Sequence, residues 1–257
     1  MLVTPENTTI SIITHNRPEL LEVCLKSLKV FSPEWFGCVK VYDDNSSDPR
    51  VWDVIAKYEV PESHCLSCKE GHTARQKAAF SRWTAMAEFM QDSEKHYLIQ
   101  SDSDVVFGPR FFDSLAFGYN ISEFDALTAI HLNRTSKRGK PIIVEGITFY
   151  PLNRFAEALY LISKELLSKV SLEVCVLSPK GLVNEISRKR GYRGFQVGLN
   201  IQHLGANNCL ISSHISCDSM LLKDEDGVPV QPLPGLTIDY EHLDFDLMLD
   251  YLDKVAD

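Results

Sequence analysis

The sequence predicts an α/β protein, a mostly parallel, twisted sheet flanked by helices in a single domain. Three observations predict it. Short β-branched runs alternate with segments of helical periodicity over the first 110 residues, the pattern of successive βαβ units. Each of the three best-defined strand-like runs in that stretch ends in a polar turn. The composition, 44% hydrophobic and 24% charged over 257 residues, belongs to an ordinary globular chain that can bury a sizeable core.

The elements follow in order. Thr9 to Thr14 is β-branched throughout except for Ser11, which predicts a buried strand. His15, Asn16 and Arg17 interrupt it. Pro18 suits the first turn of a helix, and Glu19 and Glu22 suit its positive end. Leu20, Leu21, Cys24, Leu25 and Leu28 then recur at helical spacing. Cys38 to Tyr42 is the next strand and runs into Asp43 to Pro49, a loop of turn formers. Val51 to Tyr58 and His72 to Met90 predict helices, the second with Ala78, Ala79, Trp83, Met86 and Phe89 on one side. Tyr97 to Ile99 is a third strand, followed by Asp102-Ser103-Asp104. Beyond residue 110 the pattern loosens. Phe124 to Leu132 predicts a strand, and Leu159 to Val170 a helix or a strand running into one. Pro179 to Arg190 predicts a helix, Phe195 to Gln202 a strand leading to His203, and Phe245 to Val255 a terminal helix.

Composition excludes several classes. There is too much apolar content for a disordered chain and too little Gly, Pro or Cys for a collagen or a disulfide scaffold. No apolar run approaches the roughly 18 residues of a membrane span, and Met1 to Thr9 lacks the basic start of a signal peptide. Seven cysteines cannot all pair, so a reduced, cytoplasmic setting is expected. Cys65 and Cys68 form the only close pair and have no second pair at zinc-ligand spacing, which favours ordinary packing or loop thiols.

The chemistry is expected at the carboxyl ends of the parallel strands, where ligands bind in open α/β sheets. Three polar clusters fall there: Thr14 to Arg17, Asp43 to Asp48, and Asp102 to Asp104. The chain lacks Gly-x-Gly-x-x-Gly after the first strand and lacks a phosphate-binding Gly-x-x-x-x-Gly-Lys loop. A bound nucleotide diphosphate would need another device, and a divalent cation held by carboxylates is the obvious one. Asp102 and Asp104, two apart on an extended segment, project to the same side and can face one ion. A solvated turn is the competing reading of that pair.

Taken together, Ile10 to Leu21, Val41 to Asp48 and Ser101 to Asp104 resemble, in order and spacing, the inverting family 2 glycosyltransferases with the Rossmann-like GT-A fold. The likeness covers about the first 115 residues. It implies metal-dependent transfer of a sugar from a nucleotide diphosphate sugar, UDP-linked, to an acceptor hydroxyl. It places Thr14 and Arg17 beside the base, Asp43 and Asp44 on base and ribose, and Arg75 on ribose or diphosphate. Asp104 becomes the first ligand of Mn²⁺ or Mg²⁺, with Asp102 on the ribose or on the metal and Ser103 between them. His203, after the late strand, becomes a further metal ligand. The base that deprotonates the acceptor is expected 15 to 20 residues before that His. Glu185 is the only carboxylate in Gly181 to Tyr192, but the family's usual acidic pair is absent there. Asn184 or Val183 could occupy the position instead, Glu185 could pair with Lys189, and Asp113 and Asp125 are lesser candidates. The implied division is residues 1–115 for the donor half, 116–211 for the acceptor half, and an acidic extension at 212–257.

The net charge of −9 is unevenly placed. Residues 1–133 carry −7, residues 134–193 carry +7 and residues 194–257 carry −9. The basic block holds Arg134, Lys137, Arg138 and Lys140, then Arg188, Lys189, Arg190 and Arg193. In the resembling family this half meets the acceptor. Solvated loops are the plain reading. An anionic acceptor is the sharper one, such as a phosphorylated carbohydrate or the hydroxymethylated DNA bases of a virus. The alternative function is a binding module that kept a nucleotide-sugar or nucleic-acid site on the same fold and lost catalysis. A nucleotidyltransferase would carry a Gly-rich basic loop after the first strand, and Thr14 to Pro18 is not one.

Overall fold

The computed structural model describes residues 1–66, 74–128, 140–152, 159–169, 193–196, 199, 201–204 and 245–256. Its central element is β1 (Thr8–Thr14), buried at every position because both faces of the sheet are covered. β2 (Val39–Asp43) lies parallel on one side and β4 (Tyr97–Asp102) parallel on the other. β3 (Glu62–Cys65) extends the sheet, parallel to β2, as its outer strand. Beyond β4 the strands are mostly shorter and mixed in direction. β9 (Leu159–Ser163) is antiparallel to β4, and β6 (Ala126–Thr128) is antiparallel to β9. β10 (Arg193–Gln196) is parallel to β6, and β8 (Ile147–Pro151) and β7 (Ile142–Val144) close the sheet as an antiparallel pair. The order is β3-β2-β1-β4-β9-β6-β10-β8-β7. A separate two-stranded ladder joins β5 (Val105–Phe107) to β11 (Ile201–His203).

The alternation of side chains along β1 sends its apolar residues to two cores. Ile10 and Ile12 meet Leu21, Leu25 and Leu28 of α1 (Pro18–Phe31), with α2 (Pro33–Phe36), α3 (Arg50–Lys57) and α5 (Phe111–Ile121) completing that layer. Ile13 and Tyr42 face the opposite way, against Ala85 of α4 (Ala74–Gln91). Met86 and Phe89 of α4 continue that layer over Leu98 and Ile162, with α6 (Lys164–Ser168) alongside. The result is a helix–sheet–helix sandwich. The last helix, α7 (Phe245–Ala256), packs Met248 and Leu252 on Leu20 and Val23 of α1 and on Val106 and Leu204. Lys26 anchors it through Asp253 at 2.6 Å and the Leu249 carbonyl at 2.8 Å.

The predicted strands and helices of the first 110 residues are present with ends displaced by a few residues at most, and the segment from Leu159 is a strand running into a helix. One expectation is corrected. Phe195 to Gln202 is not one strand: β10 ends at Gln196 and sits in the main sheet, whereas β11 begins at Ile201 and pairs with β5. The apolar periodicity there spans two elements that bury against different partners. The predicted strand at Phe124 starts as β6, and its continuation past Thr128 lies outside the described residues, as does the predicted helix at 179–190. No helix among the described residues is long and apolar enough to cross a membrane.

Candidate functional site

The parallel half of the sheet brings the three polar clusters to one edge. Thr14 stands opposite Asp43 in the β1–β2 ladder, and Ile13 stands opposite Asp102 in the β1–β4 ladder. The backbone ties the strand ends further: Asp44 N–H donates to the Thr14 carbonyl at 2.9 Å, and Ser103 N–H to the Ile13 carbonyl at 3.0 Å. Three successive parallel strands with short exits place these groups together whatever their side chains do.

The turn after β1 and the turn after β2 are clasped. Asn16 takes a left-handed conformation (φ 50°), which Asn tolerates better than most residues. Its Oδ1 accepts from Ser47 N–H at 2.8 Å and Asp48 N–H at 3.1 Å, and its own N–H donates to Ser46 Oγ at 2.7 Å. Asp43 is fully buried, accepting from the backbone N–H of Ser46 at 3.1 Å and from the Ser46 hydroxyl. Its carboxylate therefore shapes the loop. Asp44 is buried beside it. Thr14 is buried at the end of β1, and its hydroxyl has no hydrogen-bond partner among the described residues.

The two carboxylates of Asp102-Ser103-Asp104 are each met by an arginine. Arg17, at the residue before α1, donates from Nη1 to Asp104 Oδ2 at 3.0 Å. The Asp104 side chain is 3% exposed and that of Arg17 24%. Arg82, on α4, donates from Nη2 to Asp102 Oδ1 at 2.5 Å, with side chains 13% and 24% exposed. Ser103 between them is buried. The negative charge at Asp104 is felt below it: burial pushes the Cys24 thiol on α1 up, and Asp104 adds to that shift.

Arg82 is absent from the sequence expectations, although a signal for it exists. It lies four residues before Met86 and seven before Phe89, so it shares the sheet-facing stripe of α4 with Ala85, Met86 and Phe89. A cation in an apolar stripe needs an anion beneath it, and Asp102 at the end of β4 supplies one.

His203 ends β11 opposite Val105, and the next residue, Leu204, donates its N–H to the Asp104 carbonyl at 2.7 Å. The backbone thus carries the His position alongside Asp104, 99 residues away in sequence. Arg75 lies in the first turn of α4. Glu185, Asn184 and Val183, the candidates for the acceptor base, lie outside the described residues, as does Cys68. Of the lesser candidates, Asp113 is exposed and accepts from the Trp35 indole N–H at 2.9 Å, a contact that locks α2 to α5. Of the basic clusters, only Lys140 and the backbone of Arg193 are described.

A second group of potential ligands lies at the outer edge of the sheet, where Glu62, His64 and Glu88 converge within 4.8 Å. His64 Nε2 is 2.8 Å from Glu62 Oε1 and 3.5 Å from Glu88 Oε2. The ring stacks on Tyr42 at 5.0 Å, Tyr42 Oη donates to Glu88 at 2.8 Å, and Lys40 pairs with Glu62 at 2.7 Å. Each glutamate already holds a donor of its own, so the group reads as a polar network fastening the short strand β3 to α4.

A divalent cation fits the edge chemically. The donor set is carboxylate and imidazole positions, and the buried Asp104 carboxylate already draws a cation in the form of a guanidinium.

No family model matches the sequence, and no curated protein matches it at a significant level. The fold does have solved neighbours. GalNAc-T7, solved with UDP, GalNAc and Mn²⁺, superposes with a TM-score of 0.53 at 14% identity, over 74% of this chain and 41% of that one. S. aureus TarS superposes with a TM-score of 0.50 at 14% identity, over 74% of this chain and 35% of that one. The chain therefore spans well under half the length of either neighbour. Its mostly parallel sheet between helix layers is a GT-A fold.

Proposed function

We propose that the chain is a metal-dependent glycosyltransferase that moves a sugar from a nucleotide diphosphate sugar, UDP-linked, to an acceptor hydroxyl with inversion. The observation that carries the reading is the convergence of Thr14, Asp44, Asp102 and Asp104 at one sheet edge, with the His203 position delivered beside Asp104 by a separate ladder. Asp104 and His203 would hold Mn²⁺ or Mg²⁺. When bound, the ion offsets charge developing on the departing diphosphate. The buried Thr14 hydroxyl and Asp44 take the base, and Asp43 holds the loop that frames it. Asp102, paired with Arg82, would serve the ribose or a metal-bound water, and Arg75 would bind ribose or diphosphate. Glu185 is the proposed acceptor base. The basic block at 134–193 supports an anionic acceptor such as modified DNA.

A thermal-shift screen of nucleotide sugars with and without Mn²⁺ tests the donor assignment, because a ligand that binds the folded state raises its stability by mass action. One donor class should raise the melting temperature only with the metal and should then be consumed with an acceptor. Binding without turnover on any acceptor would favour the inactive module instead. Duplex DNA binding with a steep salt dependence supports the anionic acceptor. No binding to DNA at low salt removes it.

A further inference from the structure

We propose that Arg17 is the resident cation of Asp104 and passes from that carboxylate to the donor diphosphate when the metal arrives, so that metal and diphosphate capture are coupled through one side chain. The inference rests on the assignment of Asp104 as metal ligand, and it gives Arg17 the diphosphate in place of the base.

Both aspartates of the pair are charge-matched by arginines in the protein alone. For Asp104 this matters most, because a carboxylate only 3% exposed is costly to keep ionised without a partner. A divalent ion seated there would bring two positive charges against the guanidinium that now lies 3.0 Å from Oδ2. In a poorly hydrated pocket that repulsion is large, so ion and guanidinium compete for one carboxylate. The two arginines differ in what they can do next. Arg82 belongs to the sheet-facing stripe of α4 and is 13% exposed. Arg17 belongs to the turn at the mouth of the site and is 24% exposed, on a loop whose backbone Asn16 fixes to the neighbouring turn. Its backbone can stay put while its long side chain swings. A diphosphate arriving with the ion offers that guanidinium oxygens that match its fork.

The consequence is reciprocal coupling. Diphosphate offers Arg17 an anion in exchange for Asp104 and so favours the ion at that carboxylate, and the ion favours Arg17 on the diphosphate. Each ligand must then strengthen the other by the same factor.

The test is a Mn²⁺ titration followed by loss of the free-ion EPR signal, with and without UDP and corrected for the Mn²⁺–UDP complex in protein-free buffer. Wild type should bind Mn²⁺ weakly alone and about tenfold more tightly with UDP. Arg17→Met should bind Mn²⁺ alone about tenfold more tightly than wild type, and UDP should enhance that binding less than in wild type, leaving only the part that comes from the diphosphate's own contact with the ion. Arg82→Met removes a cation of the same charge but should keep the UDP enhancement. Arg17→Met binding Mn²⁺ no more tightly than wild type, or keeping the full enhancement, overturns the proposal. So does an equal loss of enhancement in Arg82→Met. Arg17→Lys carries the same test if the Met variant does not fold, since it keeps the charge but not the fork and should show a smaller enhancement than wild type. Asp104→Asn separates the premise: Mn²⁺ binding unchanged in that variant means the metal assignment is wrong, whatever Arg17 does.

Discussion

The two sides of β4 are built differently. On one side β1, β2 and β3 run parallel to it, joined through helices, and all end at the polar edge. On the other, β9, β6, β10, β8 and β7 are mostly shorter and change direction, and neighbours in the sheet are far apart in sequence except in the β7–β8 hairpin. The parallel side delivers chemistry by topology: any polar residue at a strand end arrives at the same edge. The mixed side delivers a surface. The difference teaches that a repeated βαβ frame gathers polar strand ends at one edge by itself, while the placement of residues on the mixed side depends on pairings set one by one.

The comparison can be broken first through stability. Phe107, fully buried with ring centroids 4.8 Å from Phe112 and 5.2 Å from Phe111, anchors the core behind the site. Phe107→Ala should cost about 3–5 kcal/mol in urea unfolding. Ile143→Ala on the outermost strand β7, 69% exposed, should stay within about 0.5 kcal/mol. A comparable loss in Ile143→Ala would mean that β7 is packed more tightly than its exposure shows. Next, Asp43→Ala should remove about 1.5–3 kcal/mol, because Ser46 loses a charged acceptor in a buried place, and the loops should come unclasped. Amide exchange at Ser46 to Asp48 would report it. Smaller again, Glu88→Gln should cost about 1 kcal/mol and raise exchange in β3, since Glu88 accepts from Tyr42 Oη.

The smallest effect is in pH. The folded Cys24 thiol titrates above its ordinary value of 9.0 because of burial and then Asp104. The unfolded chain therefore binds fewer protons once the pH passes about 9, and stability present below that pH is lost above it. The alkaline decline should be shallower in Cys24→Ala, judged by slope because the substitution also leaves a void. An unchanged slope would mean that the Cys24 thiol is not held in the buried setting that the structure gives it.

Much of the parallel side is legible in the residues themselves. Thr9 to Thr14 can hardly be anything but a buried strand, and Pro18 with the 20, 21, 24, 25, 28 spacing states the helix. The strand ends then locate Asp43, Asp44, Asp102 and Asp104 without any knowledge of contacts. What was not legible depends on tertiary pairing. β3 reads Glu-Ser-His-Cys and is a strand only because β2 offers it a ladder and Tyr42 a ring to stack on. The docking of β8 on β10 and the break between β10 and β11 are fixed by partners far away in sequence. Arg82 hid in plain sight as one charge within a helix, because its meaning lies in Asp102 beneath it.

The central claim is that the edge at Asp104 holds a nucleotide diphosphate through a divalent ion. Calorimetric titration of UDP into the protein, with and without Mn²⁺, tests it most directly when repeated on Asp104→Asn. The account predicts tight binding only with Mn²⁺ in wild type, and loss of the metal's effect in the variant. Equal binding by both proteins, or binding indifferent to Mn²⁺, would contradict it.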